Sequence, residues 1–457
     1  GVVFEFMARE VMKALPVDVQ EVLLRTACAS SVTESMAQKL SGNPQAGKIL
    51  RDLSRRRYFT ERRVETEMVY QYHPLFRAFL RTCTKEGVSE RQLAQLIRET
   101  GIALVEHGRS EEAVALFQEV QAIDESVEII LSEAKNMLAQ GRNQRLEEWI
   151  MRLPEDCLTN CPWLLYWLGS CKRFHDFTES ERLLGNAFEV FKEQQNQPGM
   201  FLAWSAVVDV LLNSWDDWKR AVPWLDMFPD LTKNKRIFPE SEIDGQLFVT
   251  MLIGLCWVRP DNPNMSLWLE QAEVFLQKNI ELLAQSPLKH MFMSLFLCLG
   301  EIDRAAEALQ KIRNSSRSAT VNPVAKLMAL FAEAHFAWFV GDRALCDRIV
   351  SEAVAFENQS GCFVTHFHLR AQQVYAALLD YDVLTAEQIL DEFRLKVRAM
   401  PRLVAVHFDW LLGWATLLKG DIDHALPLLR QAFNKSINSG APFVTAIMGG
   451  ILAQAYH

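Results

Sequence analysis

FTERRVETEMVYQYHPLFRAFL, Phe59–Leu80, decides how the start of this chain folds. Tyr58–Val64 and Met68–Tyr72 read as two short strands, rich in β-branched and aromatic residues and joined by a polar turn. A helix follows at Pro74–Cys83, with His73 at the junction, where its ring can tie wing to helix. Upstream lie three short segments of helical periodicity, at about 17–28, 33–41 and 45–56. Three helices and a small hairpin make a winged-helix layout.

Inside that layout sits SGNPQAGKIL, Ser41–Leu50, in which Gly42–Lys48 spells the G-x-x-x-x-G-K of a phosphate-binding loop. Such a loop needs a buried strand before it, a helix after it and a Ser or Thr behind the Lys to ligate Mg²⁺. Here Ile49 follows Lys48, and VTESMAQKL before Gly42 has helical spacing. The segment reads as a link between two short helices, the second opened near Pro44.

The first 85 residues hold 14 Lys/Arg against 9 Asp/Glu, a balance of +5 in a chain of net charge -9. A basic head on an acidic body argues against a protein built mainly to bind nucleic acid. Nine cysteines, an odd number, read as reduced thiols of a cytoplasmic protein. Cys157, Cys161, Cys171 and His175 lack the tight C-x-x-C spacing of most structural zinc sites, so no metal is expected. The apolar run LFVTMLIGLCWV at 247–258 is too short to span a bilayer and is closed by Arg259. The opening GVVFEFMARE, without an initiator Met, suggests a piece of a longer protein.

From about residue 90 the chain is helical in period and repeats itself. A turn glycine is followed five residues later by a small residue and twelve later by a small or apolar one. Gly108, Gly141, Gly300, Gly341 and Gly420 fit this frame, and Tyr381 fits it without its glycine. Positions 300, 341, 381 and 420 lie about 40 residues apart, and SGCFVT at 360–365 returns as SGAPFVT at 439–445. Each unit is a helical hairpin that cannot bury both faces alone, so stacked units share a core. The fold expected is mainly all-α: a winged helix at 1–86, then a right-handed tetratricopeptide-like superhelix at 87–457. Residues 200–290, rich in Trp and Pro, read only as helical.

YQYHPLFRAFL, Tyr70–Leu80, resembles the segment that closes the wing in MalT-like signal-transducing ATPases of the STAND class, bacterial transcription activators. FMAREVMKALPVDVQEVLLRTA at 6–27, LRDLSRRRYFTER at 50–62 and LEEWIMRLP at 146–154 agree with it, so the likeness covers about 1–155. The resemblance implies an order of nucleotide-binding ATPase, winged helix, superhelical sensor and helix-turn-helix output. ATP and Mg²⁺ would belong to an ATPase domain outside this chain, and the fragment itself would need no cofactor.

On that reading 87–457 sense a small-molecule or protein effector, and 1–86 relay its binding to the ATPase domain, releasing autoinhibition and permitting oligomerisation. Two alternatives stand beside it. One is DNA binding through RDLSRRR at 51–57 with Arg62 and Arg63, against which the arginines can serve to dock protein. The other is a scaffold whose groove takes a peptide. No paired carboxylates, nucleophile elbow or metal triad marks an enzyme.

First-helix residues line the groove of tetratricopeptide proteins. Counting back from the turns gives Phe331, His335 and Trp338, then His368 and Tyr375, then His407, Trp410 and Trp414. Aromatic faces with histidine hydrogen bonds suit a ligand, and these rings are expected to be partly exposed around one space. Trp163 and Trp167 read instead as core.

Overall fold

The computed structural model describes residues 2–64, 67–231, 242–278, 293–294, 296–297, 300–316, 323–363 and 365–457. Most of the polar turn between the wing strands, and part of the Trp- and Pro-rich region, lie outside these. The chain forms two compact units, 1–135 with 148–154, and 136–147 with 155–457.

The first unit opens with α1 (Val2–Ala14), which the periodicity did not single out, and α2 (Val17–Thr26). A two-residue strand, β1 (Ser31–Val32), leads to α3 (Glu34–Ser41). Thr33 caps α3 by accepting from the Met36 amide, and Gly42 ends it in the left-handed region at φ 67°. Next come α4 (Ala46–Arg55), β2 (Thr60–Val64), β3 (Met68–Tyr72) and α5 (Pro74–Gly87). The three strands are antiparallel in the order β1-β3-β2, with Thr60 opposite Tyr72 and Ser31 opposite Gln71. This is the winged helix.

β3 buries Tyr70 and Tyr72 on one face of the sheet and Val69 on the other. The Tyr72 hydroxyl shares a buried 2.7 Å hydrogen bond with Thr26. The tie at His73 is a backbone one: its amide donates to Phe59 O at 2.7 Å. Its ring lies instead against Phe4 of α1, at 5.6 Å between centroids. Lys48 is exposed in the first turn of α4, and the element before Gly42 is a helix, which leaves no strand to carry a phosphate loop.

The hairpin α6 (Glu90–Glu106) and α7 (Ser110–Glu119) belongs to the same unit. The Ser30 hydroxyl donates to Glu112, Arg109 donates to Ser31 O at 2.6 Å, and Lys39 pairs with Glu106. These bonds join the winged helix to the first hairpin.

In the second unit the repeat frame becomes geometry. Gly300, Gly341 and Gly420 adopt φ of 76°, 84° and 82°, and Tyr381 takes 59° in the same place. These turns demand the left-handed region, which explains the glycine preference and makes Tyr381 the strained exception. The small residues five on, Ala305, Cys346, Ala386 and Ala425, are fully buried. An Asp directly after three of the turns caps the second helix: Asp342 accepts from Leu345 N, Asp382 from Thr385 N and Asp421 from His424 N. Among the described residues no helix is long and apolar enough to cross a membrane.

Candidate ligand site in the helical repeats

Three consecutive first helices carry the proposed groove residues: Pro323–Phe339, His366–Leu379 and Arg402–Leu418. On each, the named positions recur three, four or seven residues apart and so share one face. The structure joins all eight into one array. His335 stacks on Trp338 with centroids 5.5 Å apart and planes 2° from parallel, and Trp338 stacks on Tyr375 at 4.8 Å. Tyr375 is the hub, meeting His407 at 5.7 Å, Trp410 at 5.9 Å and Trp414 at 6.3 Å. Phe331 reaches both His335 and His368, and His368 faces His407 at 6.3 Å.

Seven of these side chains are half-buried, Tyr375 and Trp414 packing against one core cluster and Phe331 and Trp338 against another. Trp410 departs from the expected partial exposure: at 2 % exposed it belongs to the core beneath the array. Trp163 and Trp167 stack on each other elsewhere, with Trp163 edge-on to Phe191. Cys171 is buried, its thiol pushed up to about 12 by burial, while Cys157 and Cys161 are half-buried.

Polar atoms in the array are only partly matched. Trp338 Nε1 donates to Gln372 at 2.6 Å, and the Tyr375 hydroxyl shares a 2.5 Å bond with His407 Nε2. His368 Nε2, His407 Nδ1 and Trp410 Nε1 are buried with no hydrogen-bond partner among the described residues. Each such atom costs about 1–3 kcal/mol. Burial holds the imidazoles neutral, pushing His335 and His368 down to about 4. His407 falls to about 3, through burial and then the nearby His368.

Sequence reasoning missed two further rings. Trp215 lies 4.6 Å from His368, and Trp257 lies 6.2 Å from Trp215. Trp215 precedes His368 by about 150 residues, so no local pattern could have linked them.

Residues 8–92 match the family model of the MalT winged helix domain. The HTH-type transcriptional regulator MalT of Cronobacter sakazakii is 24% identical over 197 residues, which are 42% of this chain and 21% of that protein. The match thus spans about a fifth of that relative's length. A STAND protein with a tetratricopeptide repeat sensor from Pyrococcus horikoshii superposes with a TM-score of 0.56 at 13% identity, covering 99% of this chain and 67% of its own. That likeness speaks to fold. Residues 8–92 thus match the MalT winged helix domain, and the whole chain shares its fold, a winged helix followed by tetratricopeptide-like repeats, with the Pyrococcus horikoshii protein.

Proposed function

We propose that this chain is the effector-sensing and autoinhibitory portion of a STAND-type transcription activator, and that the aromatic array on its helical repeats is the effector site. The observation that carries the reading is the set of three buried polar atoms with no hydrogen-bond partner among the described residues, His368 Nε2, His407 Nδ1 and Trp410 Nε1, within one array of eight rings. An arrangement held at such a cost favours any effector that lets those atoms find partners. The effector shifts the conformational equilibrium by its differential affinity for the two arrangements. With neutral imidazoles and stacked rings, the array suits an uncharged small molecule better than an anion.

Winged helix and repeats would then relay the bound state to an ATPase domain that binds ATP and Mg²⁺, with oligomerisation on activation, in the cytoplasm. The exposed cations of α4, the turn after it and β2, Lys48, Arg55, Arg56, Arg57, Arg62 and Arg63, would dock an acidic protein surface such as that domain. A thermal-shift screen of neutral small molecules tests the reading, since a native-state ligand raises stability by mass action. A compound that stabilises the chain should lose its effect in Trp338→Ala. Stabilisation that survives in that variant places the site elsewhere.

A further inference from the structure

Stacked repeats contact their neighbours, so a bond across many repeats needs a separate cause. One such set exists within the second unit. After the helix Gln197–Asn213 the chain turns sharply at Ser214–Asp217, with Trp215 at φ 49°, in the region that L residues rarely adopt. That turn meets residues more than 180 positions later. Trp215 O accepts from Leu403 N at 2.8 Å, and Asp216 Oδ1 accepts from Arg402 N at 3.0 Å, closing the start of the helix Arg402–Leu418. Asp217 pairs with the Arg402 guanidinium at 3.4 Å. Trp218 N donates to Ser439 O at 2.9 Å. Beside it Gly440, at φ 64°, has no room for a side chain: a Cβ there would lie 2.6 Å from Lys219 Cγ and 3.0 Å from its backbone nitrogen. The repeats are therefore clasped, Ser214–Lys219 against the starts of two later helices.

The clasp does more than close a loop. Its Trp215 carries the ring that stands 4.6 Å from His368, and Trp257 lies 6.2 Å from that ring on the helix Glu242–Val258. Trp215 holds this positive φ with its ring against the array, and such strain persists only where surroundings enforce it. Three hydrogen bonds to backbone groups do so here, with the Asp217–Arg402 ion pair beside them.

We propose that Trp215 is a further wall of the effector site, delivered by this clasp, so that opening the clasp dismantles the His368 side of the site and effector binding favours the clasped state. This deepens the effector-site reading and rests on it, but its test needs no effector. In the whole chain, Gly440→Ala forces a methyl group onto the Lys219 backbone. Gly361→Ala, at φ 70° with nothing within 4 Å, imposes similar backbone strain without a contact and serves as the control.

Two readouts follow: hydrogen exchange at the Leu403 and Trp218 amides, and the His368 ring signals by NMR, assigned with His368→Gln. Gly440→Ala should speed both amides roughly tenfold over Gly361→Ala, as local opening does. The ring-current shift that Trp215 imposes on His368 should collapse with it. Asp216→Ala, which removes the Arg402 amide acceptor, should act in the same direction. Unchanged exchange in both variants overturns the clasp. Faster exchange with an unmoved His368 signal overturns its hold on Trp215. Either failure leaves the effector screen on Trp338 to stand or fall by itself.

Discussion

The Tyr375 hydroxyl and His407 Nε2 share a 2.5 Å hydrogen bond between two consecutive repeats, and four neighbouring rings close around Tyr375. Where Nε2 accepts, the imidazole proton sits on Nδ1, the atom with no partner among the described residues. The bond therefore fixes which histidine edge is left to be satisfied.

Tyr375→Phe keeps the ring stack and removes that bond. It leaves His407 with a second unmatched nitrogen, at a cost of about 1–3 kcal/mol in denaturant unfolding. A loss below about 0.5 kcal/mol would mean that the hydroxyl contributes nothing net.

Trp410→Ala separates core from site. With the ring 2 % exposed, the loss should be about 3–5 kcal/mol of stability, the range for a truncated core aromatic. Trp414→Ala, half-buried, should cost clearly less.

Stability should fall on acidification. His335, His368 and His407 bind protons near pH 4 or below in the folded chain but near 6.5 when unfolded. The unfolded state thus holds more protons between about pH 6.5 and 4, and stability drops as pH falls through that window. It is fully present above 6.5. Melting temperatures of His368→Gln and His407→Gln should show a flatter pH profile; profiles parallel to the parent would refute the burial cause.

The basic face should bind polyanions only weakly. Arg55 and Arg56 are exposed, and Arg55 makes a loose 3.9 Å approach to Asp52. Mobility shifts with duplex DNA should be weak, independent of sequence and abolished by moderate salt. A tight sequence-specific complex lost in Arg56→Glu would favour DNA reading by the winged helix.

Much of this was legible in the sequence because the signals are local. Pro74, the two short strands and the Gly341 and Gly420 turns each announce themselves within a dozen residues. The shared face of His368 and Tyr375, or of His407 and Trp414, follows from helical spacing alone. The burial of Trp410 was not legible, since it depends on how the next hairpin covers that ring. Nor was the contact of Trp215 with His368, made from a region without the repeat pattern.

The effector site itself is tested most directly by the affinity of a stabilising compound for the parent chain and for Trp338→Ala, measured by calorimetry. Loss of one stacking ring should weaken binding by about 1–3 kcal/mol, roughly 5- to 150-fold. Equal affinity in the two proteins would contradict the assignment of the array as the site.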